Sequence, residues 1–491
     1  MNRNYDLYDK NSIYEYAKDL KGKTFNDICD EDEFFLRDSS EEGKNQIYKQ
    51  SHENKKRKGG LGEIIEERFF HYKIDNDARP DFPEANLELK VTPYKINKNK
   101  TISAKERLII SMINYFKIVE TDFYESNAWK KLKNILLIYY RWEEDVTDRL
   151  DYVIDYVYLY TPTKEDLKII ENDFEIIKNK VKAGKAHELS EGDTMYLGAA
   201  TKSSDSKKRT MQPFSEEAAK PRAFSLKNSY MTFLLRNYIV KDAEKEDKVI
   251  QNEEVNDFQE YVRSKISKYI GKKDTDLFTE FFEGEDISSK DKYSRLAYKI
   301  LGVKTKNAEE FEKANIIVRS IRLEENNKII ESMSFPTFKI KELIKETWEE
   351  SEINQFFREV KFLFIIYRRK GKNYYLSESK FWNMPLEEIE STLKKEWIEI
   401  RDTFINGVEL VPKEIKGGIR VSNNLPKKSN TKILHVRTHA SKSAYKINGV
   451  KYGNGKLGRD TDELPNGDLM TKQCFWLNND YVLKQIVKKD D

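Results

Sequence analysis

In the stretch LELKV (Leu87–Val91) apolar and polar residues alternate, so Leu87, Leu89 and Val91 share one face of a strand and Glu88 and Lys90 the other. Two apolar runs with strand character lie further on, ILLIYYR at Ile135–Arg141 and FLFIIYR at Phe362–Arg368. After each comes a segment with helical spacing: Phe174, Ile177 and Val181, then Gly184; Trp397, Ile400 and Phe404, then Gly407. The glycine stands where a helix C-cap belongs. Each half closes on an aromatic signature, FSLKNSY at Phe224–Tyr230 and FWLNNDY at Phe475–Tyr481, with Phe, Leu, Asn and Tyr at the same four offsets.

Three matched elements in the same order make the chain an internal repeat of two related lobes. The boundary falls in the charged stretch Val240–Asp257, dividing residues 1–245 from 246–491. Apolar strands mixed with amphipathic helices predict an α/β class, an α+β mixed sheet flanked by helices, in each lobe. The repeat extends to the region before LELKV. DFPEANLELK (Asp81–Lys90) aligns without gaps on EFEKANIIVR (Glu310–Arg319), where Phe, Ala and Asn are kept. Glu88 is matched by Ile317 and Lys90 by Arg319, so the scaffold recurs while the Glu-x-Lys chemistry does not.

Composition narrows the function classes. At 491 residues with 38% hydrophobic and 12% aromatic content, the chain is too apolar for a disordered protein. Cys29 and Cys474 lie at opposite ends, which excludes a disulfide scaffold or a cysteine-built zinc site. The polar first residues and the absence of a membrane-length apolar run predict a soluble, cytoplasmic protein with no membrane partner. Charged residues make up 35% of the chain at a net charge of only +3, so distribution matters more than the total. Thr201–Lys241 holds nine Lys/Arg against three Asp/Glu, and Ile415–Arg459 holds eleven against none. Two basic segments separated by a more acidic one predict two polyanion-binding faces.

Asp81 follows Pro80, which favours a turn or extended conformation. With Glu88 and Lys90 on one strand face, two carboxylates could hold one hard divalent cation beside an ammonium group, leaving room for a phosphate oxygen. Such an ion lowers the pKa of bound water and stabilises a pentacovalent phosphate. Other patterns carry less. His435 and His439 have helical metal-ligand spacing, but no HExxH glutamate accompanies them and the surroundings read as strand. Gly22, Lys23 and Thr24 suggest a phosphate loop, yet Ala17 replaces its upstream glycine, so no nucleotide cofactor is predicted.

RPDFPEANLELK resembles the PD-(D/E)xK signature of metal-dependent nucleases, and more narrowly the MutH family with its GATC-cutting type II restriction endonucleases. SAKERLIISMINY, KAGKAHELSEG, KPRAFSLKNSYMT and, in the second lobe, MTKQCFWLNNDY are similar to stretches of those endonucleases. The resemblance implies two restriction-endonuclease-like lobes, with Asp81 and Glu88 as Mg2+ ligands and Lys90 as the catalytic lysine. It implies Glu66 in support, on the helix that Gly62 leads, and a further lysine before the next strand. WKKLKNILL offers Lys131 or Lys133 for that place, and Lys131 is preferred. It also implies double-stranded DNA containing GATC as substrate and the second lobe as a DNA-binding, allosteric module. Cutting both strands with one site per chain points to a DNA-dependent homodimer.

Expected DNA contacts are Lys202, Lys207, Lys208 and Arg209 in a Ser- and Thr-rich loop, Arg222, Ser225 and Lys227 around the first aromatic signature, and Arg437 and Lys472 in the second lobe. His187 and Glu188 form a further candidate pair. Ser225 departs from the family's mismatch-repair nickase, which resembles this stretch but carries a tyrosine there, near the methyl-sensing adenine edge. Two rival readings stay open: a strand-specific repair nickase, and a non-cutting DNA-binding regulator in which Asp81–Lys90 is only a strand.

Overall fold

The computed structural model describes residues 4–36, 60–72, 79–202, 207–241, 246–251, 255–289, 291–305, 307–416 and 418–487. The chain divides into two compact units, Met1–Phe258 with Asn307–Asn315, and Gln259–Lys306 with Ile316–Asp491. The main segment of the first unit ends at Phe258, and the short EFEKAN segment also belongs to that unit. Each unit mixes sheets with helices, the α/β character that the strand and helix periods predict. No helix among the described residues is long and apolar enough to cross a membrane.

In the first unit the strand Glu88–Ile96 lies between Ile102–Ala104 and Ile135–Arg141, with Ile154–Tyr160 beyond the latter. Its pairing with Ile135–Arg141 is parallel and sets Glu88 opposite Ile135. Residues 135–140 of ILLIYYR are buried without alternation, as befits an inner strand, parallel to one neighbour and antiparallel to the other. A second sheet orders Leu108–Met112, Arg222–Leu226 and Leu197–Thr201, all antiparallel. The helix Lys164–Lys182 buries Ile170, Phe174, Ile177 and Val181 along one stripe. Thr163 caps its start by accepting the amide of Asp166.

The second unit repeats this plan closely. Ile316–Leu323 pairs in parallel with Lys361–Lys370, and Ile317 stands opposite Phe362 as Glu88 stands opposite Ile135. The partners of its other sheet agree too: Leu197 faces Leu226, and Leu434 faces Leu477. Polar detail is shared as well. Asp173, fully buried, accepts the amides of Met195, Tyr196 and Leu197 at 2.7, 2.6 and 2.8 Å. In the same place Glu396 receives the amides of Lys432, Ile433 and Leu434. Lys227 donates to the Thr194 carbonyl, and its counterpart Asn478 donates to the Thr431 carbonyl. Each unit has its own core of packed aliphatic and aromatic side chains.

Candidate active site

The turn before the strand Glu88–Ile96 is closed by reciprocal backbone bonds. Phe82 N–H donates to Leu87 O at 2.9 Å, and Leu87 N–H returns to Phe82 O at 3.1 Å. Asn86 takes up the reversal at φ 50°, a left-handed conformation that asparagine tolerates better than most residues. This fold-back brings Asp81, eight residues upstream, close enough for its carboxylate to accept the Leu89 amide at 2.8 Å. Glu88 comes next and is fully buried.

Lys90 Nζ lies 2.5 Å from Glu88 Oε1, the strand-face neighbour that the alternation predicts. Lys131, in the short helix Asn127–Leu132, directs its Nζ to both Glu88 oxygens at 3.1 Å. Lys133 points elsewhere, to Asn86 Oδ1. The structure thus brings Asp81, Glu88, Lys90 and Lys131 together and separates the two lysines that spacing alone left open. Glu66 sits where the helix begun at Gly60–Ile64 widens into a π-turn, Ile65–Phe69. Burial, with Asp81 next and Glu88 after, pushes its carboxyl up to about 8 against the opposing pull of Lys90. Asp81 is raised as well, by burial and then by Glu88, while Lys90, the Leu89 amide and Lys131 oppose the rise.

Three carboxyls that feel one another's charge in a half-dry site make a place that a cation relieves. Among the described residues no three of them already converge as a finished ligand cluster. The donor set of Asp81 and Glu88, with Glu66 nearby, is all oxygen, which suits a hard divalent ion rather than a soft one. Among its described residues the second unit offers no such set at the matching place. Ile317 and Arg319 stand at the Glu88 and Lys90 positions. Arg358, at the Lys131 position, is bound to Asn354 and Glu390.

Of the expected DNA contacts, Lys202, Lys207, Lys208 and Arg209 are exposed, as is Arg437, whose guanidinium lies 4.7 Å above the Trp476 ring. Lys472 is half-buried. Arg222, Ser225 and Lys227 depart from the expectation, because every residue of Arg222–Leu226 is buried in the middle of its sheet and Lys227 follows inside it. Arg222 gives Nη1 to the Ala199 carbonyl at 2.7 Å and Lys227 gives Nζ to Thr194 O at 2.7 Å. His187 lies near Gln212 and Glu217, bracing the hairpin Thr210–Ala219. His435 is buried on a strand, against Asn478, and His439 follows the same strand rather than lying one helical turn away.

Sequence reasoning passed over Asn86. Its signal in the sequence is the asparagine kept at Asn315 of the repeat, and there too the backbone is left-handed, at φ 55°.

Known proteins give the site its context. The family model for the DNA mismatch repair enzyme MutH matches residues 70–173, a stretch that includes Asp81, Glu88, Lys90 and Lys131. Over 469 residues the chain is 35% identical to the type II restriction enzyme Sau3AI of Staphylococcus aureus, across 88% of this chain and 93% of the relative. Such an overlap takes in residues of both units. The chain belongs to the MutH-related type II restriction endonucleases, site-specific deoxyribonucleases that as a class use divalent metal ions.

Proposed function

We propose that this endonuclease hydrolyses phosphodiester bonds of double-stranded DNA at GATC, with Mg2+ held by Asp81 and Glu88 in the first unit. The observation that carries the reading is the meeting of Asp81, Glu88, Lys90 and Lys131 in one unit, and the replacement of Glu88 and Lys90 by Ile317 and Arg319 in an otherwise matched unit. Bound Mg2+ supplies Lewis-acid stabilisation of the phosphate and a more acidic water. Lys90 orients the attacking water beside the scissile phosphate, and Lys131 steadies the Glu88 carboxylate and the charge that develops near it. Glu66 takes up or releases a proton next to Asp81. The GATC target rests on the likeness to Sau3AI and on the sequence resemblance, since no distance within the site encodes it.

The second unit, without the carboxylate set, acts in this reading as a DNA-binding effector through its exposed basic face, where Arg437 stacks on Trp476. One cutting site per chain then calls for two chains together on a palindrome, or for two successive nicks, and a DNA-dependent dimer is the expected form. Supercoiled unmethylated plasmid containing GATC, incubated in Mg2+ with wild type and with Glu88→Ala, tests the proposal. Wild type gives linear product with uniform ends at GATC, and the variant gives none. Accumulation of open circles alone supports a nickase instead. Binding without cutting by both proteins sinks the nuclease reading.

A further inference from the structure

The turn that carries Asp81 into the strand of Glu88 is gripped from outside by a residue no motif marks. Asn134 lies between the helix of Lys131 and the strand Ile135–Arg141. Its backbone carbonyl accepts the Glu88 amide at 3.1 Å. Its side-chain Nδ2 donates to the carbonyl of Asn86 at 3.3 Å. Its Oδ1 accepts Lys10 Nζ at 2.7 Å and Thr161 Oγ1 at 3.1 Å. The ammonium can only donate and the carbonyl can only accept, so these partners fix which way round the amide sits.

The grip matters because of what it holds. Asn86, at φ 50°, keeps an uncommon backbone conformation, and such a residue persists where its surroundings over-determine it. Lys133 holds the Asn86 side chain while Asn134 holds its carbonyl. If Asn86 relaxes, the Phe82–Leu87 closure shifts, and Asp81 moves relative to Glu88. The repeat supplies an internal comparison. The left-handed asparagine recurs at Asn315, but Ile317 stands where Glu88 stands, and Phe362 pairs with it as Ile135 pairs with Glu88. By that Phe362 match Lys361 occupies the Asn134 position. The amide accompanies the carboxylates and is absent from the copy that lacks Glu88.

We infer that Asn134 is a positioning residue of the nuclease site. By fixing the Asn86 carbonyl with its side chain and the Glu88 amide with its own carbonyl, it sets the Asp81–Glu88 spacing that one divalent ion requires. The inference rests on the reading of Asp81 and Glu88 as metal ligands, and its test keeps the two apart.

Asn134→Asp retains an acceptor for Lys10 and Thr161 but loses the donor to Asn86, whereas Asn134→Ala loses the whole side-chain grip. Mn2+ binding to the full-length protein is read by the electron paramagnetic resonance of free manganese. Cleavage is titrated with Mg2+, and duplex binding is measured in EDTA. Both variants bind Mn2+ about 10-fold or more weakly, and their cleavage midpoints move to higher Mg2+ by the same factor, as for other supports behind metal ligands. Duplex binding in EDTA and the thermal midpoint of Asn134→Asp stay at the wild-type level. The proposal is overturned if Asn134→Asp binds Mn2+ as wild type does, or if its defect persists undiminished at saturating Mg2+. Glu88→Ala serves as the control. Should that variant also bind Mn2+ normally, the ligand reading fails first and the role of Asn134 fails with it.

Discussion

Lys131 Nζ lies 3.1 Å from both carboxylate oxygens of Glu88, while Lys133 Nζ lies 3.1 Å from the Oδ1 of Asn86. Two lysines in one short segment thus reach different targets. Lys131→Ala removes a charged donor from the carboxylate at the centre of the site. Its single-turnover cleavage rate is expected to fall by about 10²- to 10³-fold, the scale for losing one preorganised donor. Lys133→Ala disturbs only an exposed bond to the turn, and a loss of less than about 10-fold is expected, since exposed polar contacts contribute little. DNA affinity in Ca2+ should change little in either variant. Equal losses in the two would mean that Lys131 has no special part.

Glu66 gives the site a pH dependence whose direction can be worked out. Its folded pKa of about 8 lies above its ordinary 4.5, so between these values the metal-free native state holds a proton that the unfolded chain has released. Its contribution to stability is therefore fully present below the ordinary value and lost as pH rises through about 8. A divalent ion has the opposite preference, because it favours the ionised carboxyls of Asp81 and Glu66 over the protonated ones. Apparent metal affinity should rise with pH and level off above about 8, with protons released on binding. In Glu66→Gln the upper part of that rise should vanish. Calorimetry of Mn2+ binding in buffers of different ionisation enthalpy counts the protons, and an unchanged count in the variant contradicts the assignment.

The two buried carboxylates that cradle a strand entrance, Asp173 and Glu396, provide a test of the repeat itself. Each receives three consecutive backbone amides. Asp173→Ala should destabilise the first unit by about 3 kcal/mol, from the cost of leaving buried donors unmet. Hydrogen exchange at Met195–Leu197 should quicken in Asp173→Ala, and at Lys432–Leu434 in Glu396→Ala. Exchange that stays slow at these amides in both variants would show that the cradle is not what orders the strand entrance.

Much of this arrangement is legible in the amino-acid sequence. Period-2 alternation puts Glu88 and Lys90 on one face, and helical spacing finds the stripe of Phe174, Ile177 and Val181 with the glycine beyond it. The repeat is visible because its matched positions are core residues whose identity is dictated by packing. What escapes is geometry set by distant or conformational partners. Spacing cannot choose between Lys131 and Lys133, since the choice depends on where a six-residue helix ends against the neighbouring strand. Nor can charge reveal that Arg222 and Lys227 face inward, because the carbonyl each one reaches, Ala199 or Thr194, lies more than twenty residues away in the chain. Local basicity is a fair guide to exposed loops such as Lys207–Arg209 and a poor one to a central strand.

Arg222 leads to the last prediction. The residue is 2% exposed and its Nη1 reaches the Ala199 carbonyl, while its Nε and Nη2 have no hydrogen-bond partner among the described residues. Burial pulls its pKa down from the usual arginine range, with Tyr115 and Asp193 opposing and Arg107 adding to the fall. A charge so placed is a poor stabiliser. Replacing such a group by an apolar side chain of similar volume is often neutral or stabilising by about 1–4 kcal/mol. Arg222→Met is therefore expected to melt at or above the wild-type temperature. If the two unmet donors are kept for a phosphate or base edge that reaches this sheet when DNA is bound, the same variant loses cleavage and duplex affinity despite its stability. A variant that melts several degrees lower instead marks Arg222 as a strut of the sheet, and the expectation of a DNA contact at this position should then be dropped.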